Sequence, residues 1–229
     1  LPGTVATPWD VGDWRARACA VAAALDPIDA WPTWVLSNHD TPRHRTRFGS
    51  EARARAAAVL LCTLRGTPFL YAGEELGLED ADVPPARRVD PGHRDGCRAP
   101  IPWDASPAHG WAGAEPWLPW PPEPAQQNVG TLRADPTSIL HLYRRLLAVR
   151  RTSPALRLGA LSLRPSPACV LAWDRVLDDD RRTVLVNFSG DTVACDATGI
   201  VAVASDGVGE GAEFGGTLGP DQAVVLRPG

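Results

Sequence analysis

The chain has 229 residues, 44% hydrophobic and 22% charged, which is enough apolar content for one sizeable core or two smaller ones. Its formal net charge of −4 argues against a nucleic-acid partner. No apolar run approaches the roughly 18 to 20 residues a membrane helix needs, so no membrane partner is expected. Every basic residue is arginine, there is no Met, and the chain opens on Leu1. The expectation is a fragment, a processed product or an alternative start, and, with neither a basic leader nor an apolar signal core at the front, a cytoplasmic location.

The five cysteines (Cys19, Cys62, Cys97, Cys169 and Cys195) are widely spaced and form no CxxC, so neither a zinc ribbon nor a disulfide framework is indicated. Cys97 sits in a polar loop and is a candidate for reactivity, against the simpler reading of a packing residue.

In chain order, Trp14, Ala18, Val21, Ala22 and Leu25 recur at spacings of three and four and predict a helix over 11–25, ended by Asp26 and Pro27. A buried strand follows at 33–38. A second helix is predicted from about Ser50, as N-cap, to Arg65, with Val59, Leu60, Cys62 and Leu64 as apolar surface and Gly66 suited to its C-terminal cap. A further buried strand spans 67–71 and runs into Gly73-Glu74-Glu75. Continuous apolar strands alternating with helices imply a parallel sheet covered by helices.

Between Leu76 and Ala134 the chain is rich in Pro, Gly and Trp and shows little periodicity. It is far longer than the usual loop of about 4 to 6 residues. Trp103, Trp111, Trp117 and Trp120 favour an ordered lid. A third helix is predicted from Asp135, as N-cap, with Pro136 at N1 and Ile139, Leu140, Leu142, Tyr143, Leu146 and Leu147 on one face, to Arg150-Arg151. Beyond Pro154, short runs at 161–164, 170–174, 183–188, 192–195 and 224–227, separated by turn residues, predict a small antiparallel β-domain. Asp178-Asp179-Asp180 marks a solvated hairpin turn.

The chemistry gathers at the end of the first strand. Asp40 before Thr41-Pro42 has an ordinary explanation as a turn residue. Asn38, His39 and Asp40 arrive together, however, and Arg43, His44, Arg45 and Arg47 follow, so many hydrogen-bonding groups converge on one rim. A metal reading of His39, His44 and His93 lacks any helical His pair or Cys-His spacing, and no metal or other cofactor is expected. Glu74 and Glu75, adjacent on a strand, would point to opposite faces and so cannot flank one bond as an acid/base pair.

The segment WVLSNHDTPRHRTRFG resembles the fourth short conserved block of the α-amylase family of glycoside hydrolases, in its α-glucosidase and oligo-1,6-glucosidase branch. LRGTPFLYAGEELGLED looks like that branch's last barrel strand, and RDGCRAPIPWDASPAHGW like its eighth-loop segment. Three motifs in order over about 80 residues outweigh any one of them. The resemblance implies an α/β fold: residues 1–153 as the C-terminal part of a TIM (β/α)8 barrel, including its last two strands and a long eighth loop, and residues 154–229 as an antiparallel β-sandwich domain.

It also implies a retaining hydrolase acting on α-glucosides or α-linked gluco-oligosaccharides. Such a mechanism requires a nucleophile and an acid about 5 Å apart, with an oxocarbenium-like transition state between them. On this resemblance Asp40 is the third carboxylate, which stabilises that transition state. His39 donates to a sugar hydroxyl, with Asn38 supporting the cluster. Arg98 holds the non-reducing-end glucose, the alternative being a loop-anchoring ion pair with Asp95 or Asp104. Arg43 borders the outer subsite and Arg94 is the lesser ligand candidate. By the same resemblance Glu74 and Glu75 help organise the barrel rim.

The family's nucleophile block, of the form G-x-R-x-D, and its glutamate acid do not occur in this sequence. The chain is therefore expected to need a missing N-terminal barrel portion and to be inactive alone. Two other readings stay open: a glucosyl-transferring or isomerising enzyme of the sucrose isomerase or trehalose synthase type, and a carbohydrate-binding pseudoenzyme.

Overall fold

The computed structural model describes residues 6–112 and 115–229. The chain's opening residues, where no targeting signal is expected, and two residues of the Trp-rich segment lie outside the described residues. Helix α1 spans Val11–Leu25 and is started by Asp10, whose side chain accepts the Asp13 N–H at 3.0 Å. Strand β1, Thr33–Val35, follows. A short helix α2 (His44–Phe48), which the sequence pattern does not predict, and a longer α3 (Glu51–Thr63) lead to strand β2 (Thr67–Phe69). β1 and β2 are parallel, with Thr33 opposite Thr67 and Val35 opposite Phe69. This strand–helix–strand unit is the arrangement the alternating pattern implies, although each hydrogen-bonded strand is shorter than its apolar run.

Ser50 caps α3 as expected, accepting the Arg53 N–H at 3.2 Å. Gly66 does not cap it. The helix ends at Thr63, Leu64 turns extended, and Gly66 at φ 141° lets the chain pass against Trp34. A Cβ on Gly66 would lie 2.6 Å from Trp34 Nε1 and 2.8 Å from the Pro32 carbonyl oxygen. The same indole donates to the Arg65 carbonyl at 2.7 Å, so the close approach is a built contact.

From Leu76 onward the described residues of the long segment form only brief helical turns until α4 (Val129–Ala134), which Asn128 caps through the Thr131 N–H at 2.9 Å. Helix α5 spans Ile139–Thr152 and starts three residues later than Asp135-Pro136 predicts. Asp135 is occupied otherwise: its carboxylate accepts from the Thr137 N–H and hydroxyl at 2.9 and 2.7 Å, closing a turn before the helix. A short helix α6, Pro154–Leu158, then precedes the strands.

The strands are β3 (Ala160–Leu163), β4 (Val170–Leu177), β5 (Asp180–Asn187), β6 (Val193–Ala194), β7 (Ile200–Ala204), β8 (Thr217–Leu218) and β9 (Ala223–Arg227). Five of them form an antiparallel sheet in the order β3-β4-β5-β9-β7, and β6 pairs with β8. β7 and β8 are additions to the predicted strands. One face of the sheet presents Leu171, Trp173, Val184, Val186, Val203 and Val225 to α3 and α5, in one continuous core with Leu60, Leu61, Leu142 and Leu146. Burying each such aliphatic side chain is worth about 1.5–3 kcal/mol. The other face packs Val170, Ala172, Leu185 and Val224 against Cys195 and Leu218, beside and on the β6–β8 pair.

Arg175 of β4 points into the first of these layers and is fully buried, with no carboxylate paired to it among the described residues. Its guanidinium donates to the Thr63 carbonyl at the end of α3 (2.7 Å) and to the Gly159 carbonyl after α6 (2.9 Å), and burial pushes its pKa down to about 9. Carbonyls at helix C-termini carry partial negative charge, which suits a cation placed there. Arg150 works alongside it, donating to the carbonyls of Cys62 and Gly66. The terminal sheet and α5 thus fix the point at which α3 hands the chain to β2.

β1 and β2 form a two-stranded sheet, and Phe69 and Leu70 stand 55% and 39% exposed. No helix among the described residues is long and apolar enough to cross a membrane.

Candidate active site

Just past β1, Leu36 and Ser37 are buried and the chain turns outward at Asn38. The Asn38 side-chain oxygen accepts from the Asp40 N–H at 2.8 Å and the Thr41 hydroxyl at 3.0 Å. Asn38 therefore shapes the turn that carries Asp40. The turn is anchored from below: Ser37 Oγ lies 2.9 Å from His44 Nδ1 and accepts the His44 N–H. His44 is fully buried. Burial, with Arg47, Arg43 and Arg45 nearby, pushes its imidazole down to about 3, so it is a neutral core residue.

Asp40 is 47% exposed, and His39 is 68% exposed with Nε2 3.2 Å from Asp40 Oδ2. Asp40 Oδ1 accepts from Arg94 Nη1 at 2.8 Å, while Arg98 Nη2 lies 3.5 Å from the same oxygen. Arg98 Nε donates to the His39 carbonyl at 2.8 Å. Arg94 and Arg98 thus both reach the Asn38–Asp40 turn. The ion-pair partners anticipated for Arg98 are corrected: it faces Asp40 and, at 3.9 Å, Asp90, whereas Asp104 binds Ser106.

Arg94 is the nearer of the two. Asp90, which sequence reasoning missed, holds it by a fork, with Arg94 Nε and Nη2 donating at 2.7 and 2.6 Å and the Arg94 N–H adding a bond at 2.8 Å. Those bonds keep the Asp90 carboxyl well below the usual carboxylate range and raise Arg94. Asp95 fastens the loop in turn, its Oδ2 accepting the N–H groups of Val89 and Asp90 at 2.9 and 3.1 Å. Two signals pointed to Asp90: its spacing of four from Arg94, and its place just before the RDGCR segment.

The outer-subsite reading of Arg43 is corrected. Arg43 is 2% exposed. Its Nη1 donates to the Ala72 carbonyl at 2.9 Å, its guanidinium lies 4.8 Å from the Tyr71 ring centre, and its N–H donates to Asp80. Burial lowers its pKa. It braces the rim from beneath.

Glu74 and Glu75 are not on a strand but on a helical turn, Glu74–Leu76. Glu74 is buried, accepts from Tyr143 Oη at 3.0 Å and the Tyr71 N–H at 3.2 Å, and is pushed up to about 8 by burial. Glu75 accepts the Gly73 N–H at 2.8 Å. Cys97 is buried, its thiol donating to the Arg94 carbonyl at 3.0 Å and raised by burial, which is the packing reading. His39, His44 and His93 do not converge, and no group of three metal-ligating side chains occurs among the described residues.

A cavity of about 330 Å³ opens beside this cluster, lined by Asp40, Asp80, His93, Arg94 and Asp95 among others. At its mouth stands a carboxylate fixed by a guanidinium and still half open to solvent. Such a group can accept hydrogen bonds from hydroxyls and stabilise positive charge developing next to it.

The chain is similar to several known proteins. A family profile described as alpha amylase, catalytic domain, matches residues 4–159. The "Probable alpha-glucosidase" of Rhizobium meliloti is 35% identical over 175 residues, covering 70% of this chain and 32% of that protein. The oligo-1,6-glucosidase of Parageobacillus thermoglucosidasius is 28% identical over 219 residues, covering 81% of this chain and 39% of its own length. The crystal structure of the trehalulose synthase MutB from Pseudomonas mesoacidophila MX-45 superposes with a TM-score of 0.83 at 27% identity, over 95% of this chain and 46% of that one. The chain therefore spans about a third of the length of these curated relatives and about half of that solved chain.

Proposed function

The chain belongs to the alpha-amylase family, and from that premise we propose that it forms part of a retaining α-glucoside hydrolase acting on α-linked gluco-oligosaccharides. In this reading residues 1–153 are the closing portion of the catalytic barrel and residues 154–229 a β-sandwich domain. Asp40 is the carboxylate that stabilises the oxocarbenium-like transition state. The observation that carries it is the pairing of Asp40 with Arg94 at the carboxyl end of β1, where barrel enzymes keep their chemistry. Arg94 holds Oδ1 of Asp40 and His39 lies against Oδ2, so the carboxylate is fixed in orientation. His39 and Arg98 flank the glucose, and Asn38 holds the turn.

A nucleophile and an acid must flank the glycosidic bond, and they belong to barrel strands outside these residues. The open apolar side chains of Phe69 and Leu70, at and just past the end of β2, support a partner that completes the sheet. The isolated chain accordingly does not hydrolyse 4-nitrophenyl α-glucoside. Steady turnover by the purified chain, abolished by no substitution at Asp40, would overturn the assignment.

Isomerisation is the second reading, favoured by the likeness to a trehalulose synthase. It predicts that a completed barrel converts sucrose to an isomer, whereas a hydrolase releases glucose and fructose.

A further inference from the structure

The outer face of the terminal sheet carries a second, unrelated cluster. Strand alternation sets Asp174, Thr183 and Leu226 in one register row across β4, β5 and β9, on the face opposite Trp173 and Val184. Val193, Cys195 and Leu218, on and beside the β6–β8 pair, pack on part of that face. Next to this row lies a cleft of about 340 Å³ lined by Arg164, Arg181, Arg227, Thr183, Thr198 and Leu226.

Three guanidinium groups meet there and one side-chain carboxylate answers them. Arg164 Nη1 donates to both Asp174 oxygens at 3.3 and 3.1 Å, and the Thr183 hydroxyl donates to Oδ1 at 2.6 Å. Arg181 Nη1 stands 3.9 Å from Asp174 Oδ2, beyond hydrogen-bonding range, and Arg227 Nη1 reaches only the Pro228 carbonyl. Among the described residues, the Nε and Nη2 groups of all three arginines donate to nothing in the protein. A net excess of two positive charges, with free N–H forks, lines the cleft.

We propose that this cleft binds a small organic phosphate monoester. Planar guanidinium forks match phosphate oxygens in pairs, and a dianion balances the excess charge. The volume exceeds that of a bare oxyanion and sits at the lower end of small-molecule sites, which run from about 300 Å³. Ala197 and Pro228 offer apolar atoms and Thr198 a hydroxyl for the organic part. The site is built from β4, β5, β9, Arg164 just past β3 and the turn before β7, and it shares no residue with the Asp40 cluster, so it stands or falls separately from the proposed hydrolase role.

Isothermal titration calorimetry of the chain with glucose 6-phosphate, inorganic phosphate and glucose tests it. Glucose 6-phosphate binds saturably with a Kd of about 1 mM or tighter, inorganic phosphate binds more weakly, and glucose does not bind. The double variant Arg181→Gln/Arg227→Gln weakens the phosphate ester by about tenfold or more, corresponding to loss of two charge-assisted contacts. If the double variant fails to fold, Arg181→Gln alone, at a side chain 56% exposed, gives the same readout. No saturable binding up to millimolar concentration, equal affinity for inorganic phosphate, or affinity indifferent to these substitutions would overturn the proposal.

Discussion

Arg94 Nη1 donates to Asp40 Oδ1 across 2.8 Å, joining the end of β1 to a loop 54 residues downstream. That bond makes Arg94 the arginine nearest the proposed catalytic carboxylate, where the sequence favours Arg98. In a protein with the completed barrel, Arg94→Lys lowers kcat/KM about 100-fold, because a lysine cannot serve Asp90 and Asp40 with one planar fork. Arg98→Lys costs less, its Asp40 contact being the longer, at 3.5 Å. Michaelis–Menten kinetics on 4-nitrophenyl α-glucoside rank the two. A larger loss at Arg98 would reverse the assignment.

Asp90→Asn removes the fork that orients Arg94 while leaving Asp40 untouched. Because Asp90 is held below its ordinary pKa, its contribution to stability is present above about pH 4 and is lost as the pH falls through its folded value. The variant loses activity at neutral pH, and its melting temperature changes less than that of the parent between pH 5 and pH 3. Differential scanning calorimetry across that range, alongside the kinetics, reads both effects.

Two buried groups set opposite slopes in the pH dependence of stability. Glu74 rises from 4.5 to about 8, so between those values the folded state keeps a proton that the unfolded chain has released, and stability falls as pH rises. His44 drops from 6.5 to about 3, so the unfolded chain binds the extra proton in that window, and stability falls as pH falls. Glu74→Gln flattens the limb from pH 5 to 8, and His44→Asn flattens the limb below pH 6.5. Urea midpoints measured at each pH show the change in slope whatever the mean stability of each variant.

Gly66→Ala adds a methyl group 2.6 Å from Trp34 Nε1 in a backbone conformation that favours glycine. Overpacking of this kind costs about 1–3 kcal/mol, and a strained φ adds to it. Equilibrium urea unfolding is the check, with a loss of at least about 2 kcal/mol expected.

Much of this arrangement is legible in local sequence. The spacing from Trp14 to Leu25, the Ser50 cap and the apolar run into Asn38-His39-Asp40 each act over a few residues, and the folded chain keeps them. Contacts across long separations are not legible in that way. Nothing near Arg43 in sequence says that its guanidinium turns under Tyr71 toward the Ala72 carbonyl, or that Arg94 swings to Asp40. β7 and β8 escaped for another reason: β8 is two residues long, and β7 pairs with β9 only through an irregular register between Val201 and Val203. The late start of α5 shows local chemistry in competition, since Asp135 closes a turn instead of capping the helix.

The central claim is that Asp40 is a catalytic carboxylate whose partners lie on other barrel strands. The most direct measurement joins the upstream portion of the Rhizobium meliloti relative to this chain and follows 4-nitrophenyl α-glucoside hydrolysis with and without Asp40→Asn. The account predicts that the fusion turns the substrate over and that Asp40→Asn lowers kcat about 1,000-fold with the melting temperature preserved. An Asp40→Asn fusion that retains activity within about twofold of its parent, or a folded fusion with no activity, would contradict it.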